Sequence, residues 1–455
     1  MDTASTSASR APKRLSSSTS EGVFSGIYAR GAAAAAVSGE AWLQAMLDVE
    51  AALARACARE GDMLDDAAEQ IAAVCLAERF DLRAIAREGA AHASPVVPLV
   101  RALREQVGDE LAPLVHLGAT SQDILDTAAM LVSSRALAPM TDDALAAARA
   151  AATRADRHRG TAMSGRTLLQ QALPISFGLR AAGWLVGISE ARARLVEVRQ
   201  REVAVQMGGP VGARGPEVAR TVAAELGLAE PVLPWHTIRV RMAALAGGLA
   251  ALAGVLAKVA RAVTLLAQDE VGEVREGGGR ERGGSTAMGH KRNPVAAVSV
   301  LACARRTPGL AATVLSSMEQ EHERAAGAWQ AEWGTLSDLL GLTGSAASWG
   351  RELLENLEVD AERMRENLDL GGGVVFSQRV LLALIESGMS REDAYAIVQS
   401  AAHRALRGEG AFRHLLREND EVRRRLPDLT RYFDPAEALQ HIEVAFDRLN
   451  LGVKV

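Results

Sequence analysis

Two stretches of the chain, residues 175–205 and 237–271, are long, nearly unbroken and apolar at helical spacing. Both are longer than an ordinary globular helix. The segment 242–257, MAALAGGLAALAGVLA, carries no charged side chain, so a helix there must be buried around most of its circumference. Strand-like runs of Val, Ile, Thr and Tyr are almost missing. The pattern predicts an all-α protein whose long helices form a bundle and associate with copies of themselves.

The chain is predicted to hold three helical domains after a tail. Residues 1–20 are rich in Ser, Thr and Ala and lack an apolar run, which favours a disordered tail over a secretory signal. Residues 21–115 are predicted to form an N-terminal helical domain. The central bundle is assigned to residues 116–367, with helices at 127–137, 141–158, 175–205, 237–271 and 295–317. Residues 368–455, which open on a triplet of glycines, are predicted to form a C-terminal helical domain.

Charge and cysteine usage exclude several functional classes. The net charge of −5 and pI near 6.1 give no sign of nucleic-acid binding. Arg241 and Lys258 bracket only sixteen apolar residues, which is short for a membrane span. Three scattered cysteines without CxxC spacing favour a reduced, cytoplasmic enzyme. We also find no metal-ligand cluster and no dinucleotide-binding loop, so no metal and no cofactor are expected.

The stretch 283–294, GGSTAMGHKRNP, concentrates the polar groups that can do chemistry. Glycines at 277–279 precede this stretch, and two more at 283 and 284 are its first residues. A helical pattern follows it. The sequence therefore predicts a mobile loop, able to open and close, that leads into a helix. Its hydroxyls, lysine and asparagine can hold and deprotonate an anionic substrate. A phosphate loop is a weaker interpretation, because the GxxxxGK[ST] spacing is absent. A solvated basic linker is the other alternative.

Two further stretches place hydroxyl and amide groups in short polar turns. Residues 116–127 read HLGATSQDILDT, in which a Thr-Ser pair precedes a helix. Simple helix capping by these residues is the competing interpretation. Residues 165–178 read GRTLLQQALPISFG, where a cap followed by a loop is again the plain alternative.

A fourth stretch, residues 319–333, reads EQEHERAAGAWQAEW. A solvated helical face explains its charges, but Trp329 and Trp333 do not suit such a face. Arg324 is the candidate for a carboxylate clamp, because a guanidinium can grip a carboxylate through two hydrogen bonds.

These stretches together resemble the fumarase/aspartase superfamily, over about residues 40–450. The loop resembles the signature Gly-Ser-Ser-x-Met-Pro-x-Lys-x-Asn-Pro, with Thr286 in place of the second serine and Gly289 in place of the proline. The segment 319–333 resembles the corresponding segment of 3-carboxymuconate cycloisomerases, with Gln330 in place of a histidine. At 165–178, Leu168 stands where many members carry a histidine, and Gln171 where the muconate-lactonising branch carries one.

The resemblance implies a three-domain helical fold and a homotetramer in which three subunits contribute to each active site. It implies Ser285 as the catalytic base, acting with Lys291. It also implies a set of substrate-binding residues, to which we add two candidates of our own, His116 and Arg324. The full set is His116, Thr120, Ser121, Thr167, Gln170, Asn293 and Arg324.

The activity that this resemblance implies is removal of a proton alpha to a carboxylate of a small dicarboxylate. Loss of two histidines of the cycloisomerase branch favours elimination of an amine, ammonia or nitrite from a substituted succinate, giving fumarate. Lactonisation of 3-carboxy-cis,cis-muconate is the alternative reaction. A crystallin-like structural tetramer is the non-enzyme alternative, and the presence of Ser285, Lys291 and Asn293 argues against it.

Overall fold

A computed structural model describes residues 22–279 and 282–452, without the side chains of 450–452. The predicted tail, residues 1–20, lies outside the described residues. Helices make up 67% of the structure, and the prediction of an all-α fold is confirmed. The helices of the first 160 residues are α1 (Ser25–Tyr28), α2 (Gly31–Ala35), α3 (Gly39–Arg59), α4 (Asp65–Val74), α5 (Leu82–His92), α6 (Val96–Val107) and α7 (Ser121–Arg157).

The remaining elements include four short strands. The strands are β1 (Ala162–Thr167), β2 (Gln170–Ser176), β3 (Val274–Glu276) and β4 (Leu357–Val359). The helices are α8 (Phe177–Arg201), α9 (Pro216–Leu226), α10 (Val240–Leu266), α11 (Val295–Ser316), α12 (Ala328–Glu355), α13 (Ala361–Asp369), α14 (Ser377–Glu386), α15 (Arg391–Leu406), α16 (Phe412–Arg417), α17 (Asp420–Arg425), α18 (Pro435–Ala438) and α19 (Glu443–Gly452).

The chain clusters into two compact units. The first comprises the described residues up to Pro139, together with Arg201–Ala243 and Gly309–Ser345. The second comprises Met140–Gln200, Ala244–Pro308 and the described residues from Ala346 onward. The boundaries of the three predicted domains stay a prediction.

Helix α3 organises the first unit. It begins where the Ser38 hydroxyl accepts a hydrogen bond from the Ala41 N–H, and one face of it is fully buried through Leu43, Leu47 and Leu53. That face packs against α4 and α9. Helix α9 carries a proline at its first position and ends at Gly227 in a left-handed conformation, which is the usual way to start and stop a helix.

Close contact between α8 and α10 organises the second unit. A Cβ added at Gly248 would lie 2.9 Å from the Leu195 side chain, and one added at Gly187 would lie 3.2 Å from Val255. Glycines at these positions therefore let the two long helices approach each other. At the end of the chain, α14 to α17 enclose a separate apolar cluster around Leu384, which is fully buried.

Two local predictions were wrong. The helices expected at 127–137 and 141–158 are one helix, α7, which continues through Pro139. The segment 165–178, for which a cap followed by a loop was the plain alternative, lies mostly in an antiparallel β-hairpin formed by residues 162–176, and α8, expected to begin at residue 175, begins at Phe177. Its strands are too short and too poor in strand-type residues to give a clear pattern.

Helix α10 is the described helix that is long and apolar enough to cross a membrane. Half of its most apolar window is buried within the structure (50%). The adjacent segments Ala361–Asp369 and Val374–Glu386 pass the same test only if they are taken together as one span bent by 82°. A buried core helix passes this test as well, so these helices give weak grounds for a membrane protein.

Candidate active site

The Thr-Ser turn of the first unit is held by a buried carboxylate. Asp123 is fully buried and accepts hydrogen bonds from the N–H groups of Thr120 at 3.1 Å, Gly208 at 2.9 Å and Gly209 at 2.8 Å. Asp123 therefore caps the start of α7, so the motif does contain the helix cap that was its alternative interpretation. The Thr120 hydroxyl is left to accept another donor. The Ser121 hydroxyl has no hydrogen-bond partner among the described residues, so it remains free to bind a ligand.

Arg324 lies in the segment just before α12, and its side chain contacts this turn. Its Nη2 donates to the Thr120 Oγ1 at 2.7 Å and to the Pro210 carbonyl at 3.3 Å. Its Nε is buried without a hydrogen-bond partner in the described part of the chain. The structure therefore brings together two candidates that are 204 residues apart in the sequence, and the guanidinium keeps an unused donor.

His116 lies just before the turn, in a left-handed conformation with φ of 64°. Its Nδ1 is 2.7 Å from Oε1 of Glu50, a carboxylate that is 1% exposed on α3. Burial alone lowers the pKa of His116, but the negative charge and hydrogen bond of Glu50 outweigh burial and raise that pKa above its ordinary value. Glu50 was missed in the sequence. Its position on the same helical face as Met46, Leu47 and Leu53 was the available signal.

A buried ion network lies beneath the turn. Arg239, fully buried, donates to both oxygens of Asp126 at 2.7 and 3.2 Å, and its Nε donates to Glu332 at 3.1 Å. The Trp329 indole also donates to Asp126, at 2.9 Å. Burial raises the pKa of Glu332, and Arg239 opposes that rise. The network links the start of α7 to the start of α12, the helix that follows Arg324.

The two tryptophans of segment 319–333 pack against each other, as expected for a segment that is not a purely solvated face. Trp329 is 2% exposed and packs edge-on against Trp333, with ring centroids 4.8 Å apart. His322 adopts a positive φ of 47°, and its carbonyl accepts a hydrogen bond from the Thr237 hydroxyl. The part of the segment that carries the tryptophans is therefore packed into the first unit, whereas Glu319, Glu321, His322 and Glu323 are exposed.

The hairpin of the second unit carries Thr167 and Gln170 at its tip, where the two residues pair across the strands. The turn between them consists of Leu168 and Leu169, both with positive φ and with exposures of 96% and 76%. Such a turn normally uses Asn and Gly, because a side chain is strained at positive φ.

Buried polar contacts anchor this hairpin. Arg166 forms a two-pronged ion pair with Glu273, which is fully buried, with N–O distances of 2.7 and 2.9 Å. Gln171 donates to the carbonyl of Asn367 at 2.7 Å. The glutamine that replaces a histidine of the cycloisomerase branch is thus used to fix the strand.

The loop that carries Ser285 is closed at its base by Asn293. The Asn293 backbone N–H and side-chain Nδ2 both donate to the Gly283 carbonyl, at 2.8 and 3.0 Å. The Ser285 Oγ accepts the N–H groups of Ala287 at 3.2 Å and Met288 at 3.1 Å. Two such donors stabilise negative charge on that oxygen. Arg280 and Glu281, in the glycine-rich lead-in, lie outside the described residues.

The helix start behind the loop is already occupied by a protein carboxylate. Glu276 accepts the N–H groups of Ala296 and Ala297 at the start of α11, at 2.9 and 2.8 Å. In this structure these N–H groups are therefore occupied by Glu276. The stretch 273–276 fixes both the hairpin, through Glu273, and the start of α11, through Glu276.

Lys291 lies on a cleft of about 860 Å³. Its amine is exposed and makes no hydrogen bond or ion pair with the part of the chain that the structure describes. The cleft has mixed charge, since Lys291 and His290 face it together with acidic residues such as Asp269 and Asp360. No group of three or more His, Cys, Asp or Glu side chains that could hold a metal occurs within residues 22–279 and 282–449.

The predicted site residues thus occur in two sets. His116, Thr120, Ser121 and Arg324 belong to the first unit. The others, Thr167, Gln170, Ser285, Lys291 and Asn293, belong to the second.

Comparison with known proteins identifies the family. A family described as "Lyase" matches residues 22–309, and one described as "Adenylosuccinate lyase C-terminus" matches 373–449. A 3-carboxy-cis,cis-muconate cycloisomerase of Pseudomonas aeruginosa is 43% identical over 87% of this chain and 89% of its own. A nitrosuccinate lyase of Streptomyces davaonensis is 41% identical over 92% of both chains.

The solved structure of the 3-carboxy-cis,cis-muconate lactonizing enzyme from Pseudomonas putida superposes with a TM-score of 0.88, at 38% identity over 94% of this chain and 98% of that one. A fumarate lyase from Mesorhizobium gives a TM-score of 0.83 at 32% identity, covering 94% and 99% of the two chains. The chain belongs to the fumarase/aspartase superfamily of lyases, in the branch that contains the 3-carboxy-cis,cis-muconate cycloisomerases and nitrosuccinate lyase.

Proposed function

We propose that this protein is a cofactor-independent enzyme that transfers a proton at the carbon alpha to a carboxylate of a small di- or tricarboxylate. The observation that carries the proposal is the cluster of hydrogen-bond donors around Thr120. The Arg324 guanidinium donates to the Thr120 hydroxyl and keeps a buried donor unused, and the free Ser121 hydroxyl lies next to it. A carboxylate, which offers four acceptor positions, complements this cluster.

The reaction requires a base and groups that stabilise the dianion developing on the carboxylate. Ser285 is proposed as the base, and its Oγ already receives two backbone N–H groups that favour the alkoxide. The unpaired amine of Lys291 supplies positive charge for the carboxylate that gains charge. Asn293, Thr167 and Gln170 complete the proposed set of substrate contacts, and His116 is proposed to bind substrate together with Thr120.

Cycloisomerisation of 3-carboxy-cis,cis-muconate is the first candidate reaction. Several relatives bear that name, including one from Bradyrhizobium diazoefficiens that is 40% identical over 91% of this chain. In this reaction a carboxylate oxygen adds to a double bond, and the resulting carbanion is protonated alpha to a carboxylate by the Ser285 hydroxyl.

Elimination from a substituted succinate is the second candidate, and the similarity to a nitrosuccinate lyase favours it. Ser285 would take the alpha proton, the C–X bond would break with its electron pair on the leaving group, and fumarate would form. Histidines that other members carry are replaced here by Leu168, Gln171 and Gln330. Without them protonation by an imidazole is weaker, which suits a leaving group such as nitrite that departs as a stable anion.

We further propose that the protein works in the cytoplasm as a homotetramer, with residues of three subunits in each active site. The nine candidate residues occur in two units of the chain, and the apolar helix α10, whose most apolar window is only 50% buried, offers surface for self-association. Sedimentation at micromolar concentration should give a tetramer, and a stable monomer would contradict this proposal.

A substrate panel tests the reaction. Lactone formation from 3-carboxymuconate and fumarate release from nitrosuccinate, aspartate, argininosuccinate and adenylosuccinate should be followed in parallel, with wild type and Ser285→Ala. We expect one substrate to react and Ser285→Ala to lower kcat by roughly 10²–10⁴. Lys291→Met should cost roughly 2–5 kcal/mol of transition-state binding. A tetramer that turns over none of the panel would favour the crystallin-like structural role instead.

A further inference from the structure

The contact between Glu50 and His116 fixes the protonation and the orientation of the imidazole. A carboxylate can only accept hydrogen bonds, so Nδ1 of His116 must carry the proton in the 2.7 Å contact. The ring nitrogen Nε2 makes no hydrogen bond to any described residue, and the side chain keeps 15% of its exposure. One nitrogen is therefore bound to Glu50, while the other keeps its hydrogen-bonding capacity.

Glu50 has little else to interact with. It is 1% exposed, and its second oxygen, Oε2, is buried without a hydrogen-bond partner in the part of the chain described. An ionised carboxylate in such a place is costly unless a cation lies beside it. The pair is therefore most stable when His116 is an imidazolium.

Charged groups on three elements act on His116. Glu50 on α3 and Asp123 on α7 favour its protonated form, and Arg104 on α6 disfavours it. The carboxylates prevail despite burial, so the pKa of His116 is raised. An imidazolium four residues before Thr120 adds a cation beside a turn whose Ser121 hydroxyl and Arg324 guanidinium can both donate hydrogen bonds.

We propose that Glu50 is a positioning residue that keeps His116 protonated, so that the Nε2–H of His116 binds a carboxylate of the substrate. This inference rests on the proposed function, because it names a contact in that same site. It also makes binding depend on pH. Substrate carboxylates should be held while the imidazolium persists and released as the pH rises through its raised pKa.

The experiment measures binding of succinate by titration calorimetry between pH 6 and 8.5, on the full-length protein. Wild type should lose about tenfold in affinity over this range, a typical value for losing one charged hydrogen bond. Glu50→Gln should move the loss to lower pH, because the carboxylate that favours the imidazolium is gone. His116→Gln should bind succinate weakly and independently of pH. His403→Gln, an exposed change on α15, is the control and should behave as wild type.

Turnover gives a second readout once a substrate is known. Glu50→Gln should raise KM near pH 7, between the two transitions, by up to about tenfold and change kcat much less. Succinate binding that follows the pH in wild type and shifts in Glu50→Gln supports the proposal even if no panel substrate reacts, so the two failures can be separated. Equal pH profiles for wild type and Glu50→Gln would overturn it. Should Glu50→Gln not fold, a pH-dependent wild type and a pH-independent His116→Gln are still required, and any other result rejects the role of His116.

Discussion

Replacing Arg239 by methionine should be among the most damaging single changes in the first unit. The guanidinium is fully buried and all of its donors are used, by Asp126, Glu332 and the His236 carbonyl. Methionine fills a similar volume but leaves two carboxylates, each at most 3% exposed, without their cation. Breaking a buried pair in this way costs about 3–5 kcal/mol.

The remaining donors to the two carboxylates do not replace the lost charge. Asp126 keeps the neutral indole of Trp329 and the amide of Gln122, and Glu332 keeps the amide of Gln320 at 3.2 Å. Two negative charges would then repel each other in a buried site. Because acid protonates them, the loss of stability in Arg239→Met should shrink as the pH falls from 8 to 5.

The assay is urea unfolding of wild type and variants at one protein concentration, because an oligomer's stability depends on concentration. The matched control is Arg351→Met, which removes an Arg that also contacts two carboxylates but is 48% exposed. That control should lose less than about 1 kcal/mol. A loss of similar size in both variants, or an Arg239→Met penalty that does not change with pH, would refute this reasoning.

Two changes in the second unit test the backbone conformations at positive φ, one through activity and the other through stability. In Gly283→Ala a Cβ would overlap the carbonyl oxygen of Asn293 at a φ of +70°, so kcat/KM should fall at least tenfold while circular dichroism stays unchanged. Replacing Leu168 and Leu169 by Asn and Gly should relieve backbone strain and stabilise the protein by about 1 kcal/mol or more in urea, because these residues favour positive φ. Unchanged kcat/KM in the first variant, or lower stability in the second, would contradict these expectations.

The parts of the fold that the sequence predicted are those with a long periodic pattern. Helix α11 was expected at 295–317 and occurs at Val295–Ser316, and α10 was expected at 237–271 and occurs at Val240–Leu266. The hairpin was missed because its turn, Leu168-Leu169, lacks the Asn-Gly signal. Two helices were expected at 127–137 and 141–158, but one helix continues through Pro139, with Leu137 and Met140 buried on either side of it.

In the candidate site, too, the sequence predicted the residues that lie in local motifs and missed those that do not. Short polar motifs pointed to Thr120, Ser285 and Lys291, whose roles stay predictions. The residues that hold them were not predicted, because their partners are distant in sequence. Arg239 lies 113 residues from Asp126 and 93 from Glu332, and no local pattern joins them. Such partners become visible only in three dimensions.

The contact between Glu50 and His116 also predicts how stability depends on pH. The folded state raises the pKa of His116 above that of the unfolded chain. The stability that the raised pKa contributes is therefore fully present below the unfolded value, near 6.5, and is lost as the pH rises through the folded value. Every tenfold gain in the proton affinity of the imidazole on folding corresponds to about 1.4 kcal/mol. The difference in unfolding free energy between wild type and Glu50→Gln should consequently be larger at pH 6 than at pH 9. A difference that grows with pH would mean that Glu50 stabilises the fold through something other than the imidazolium.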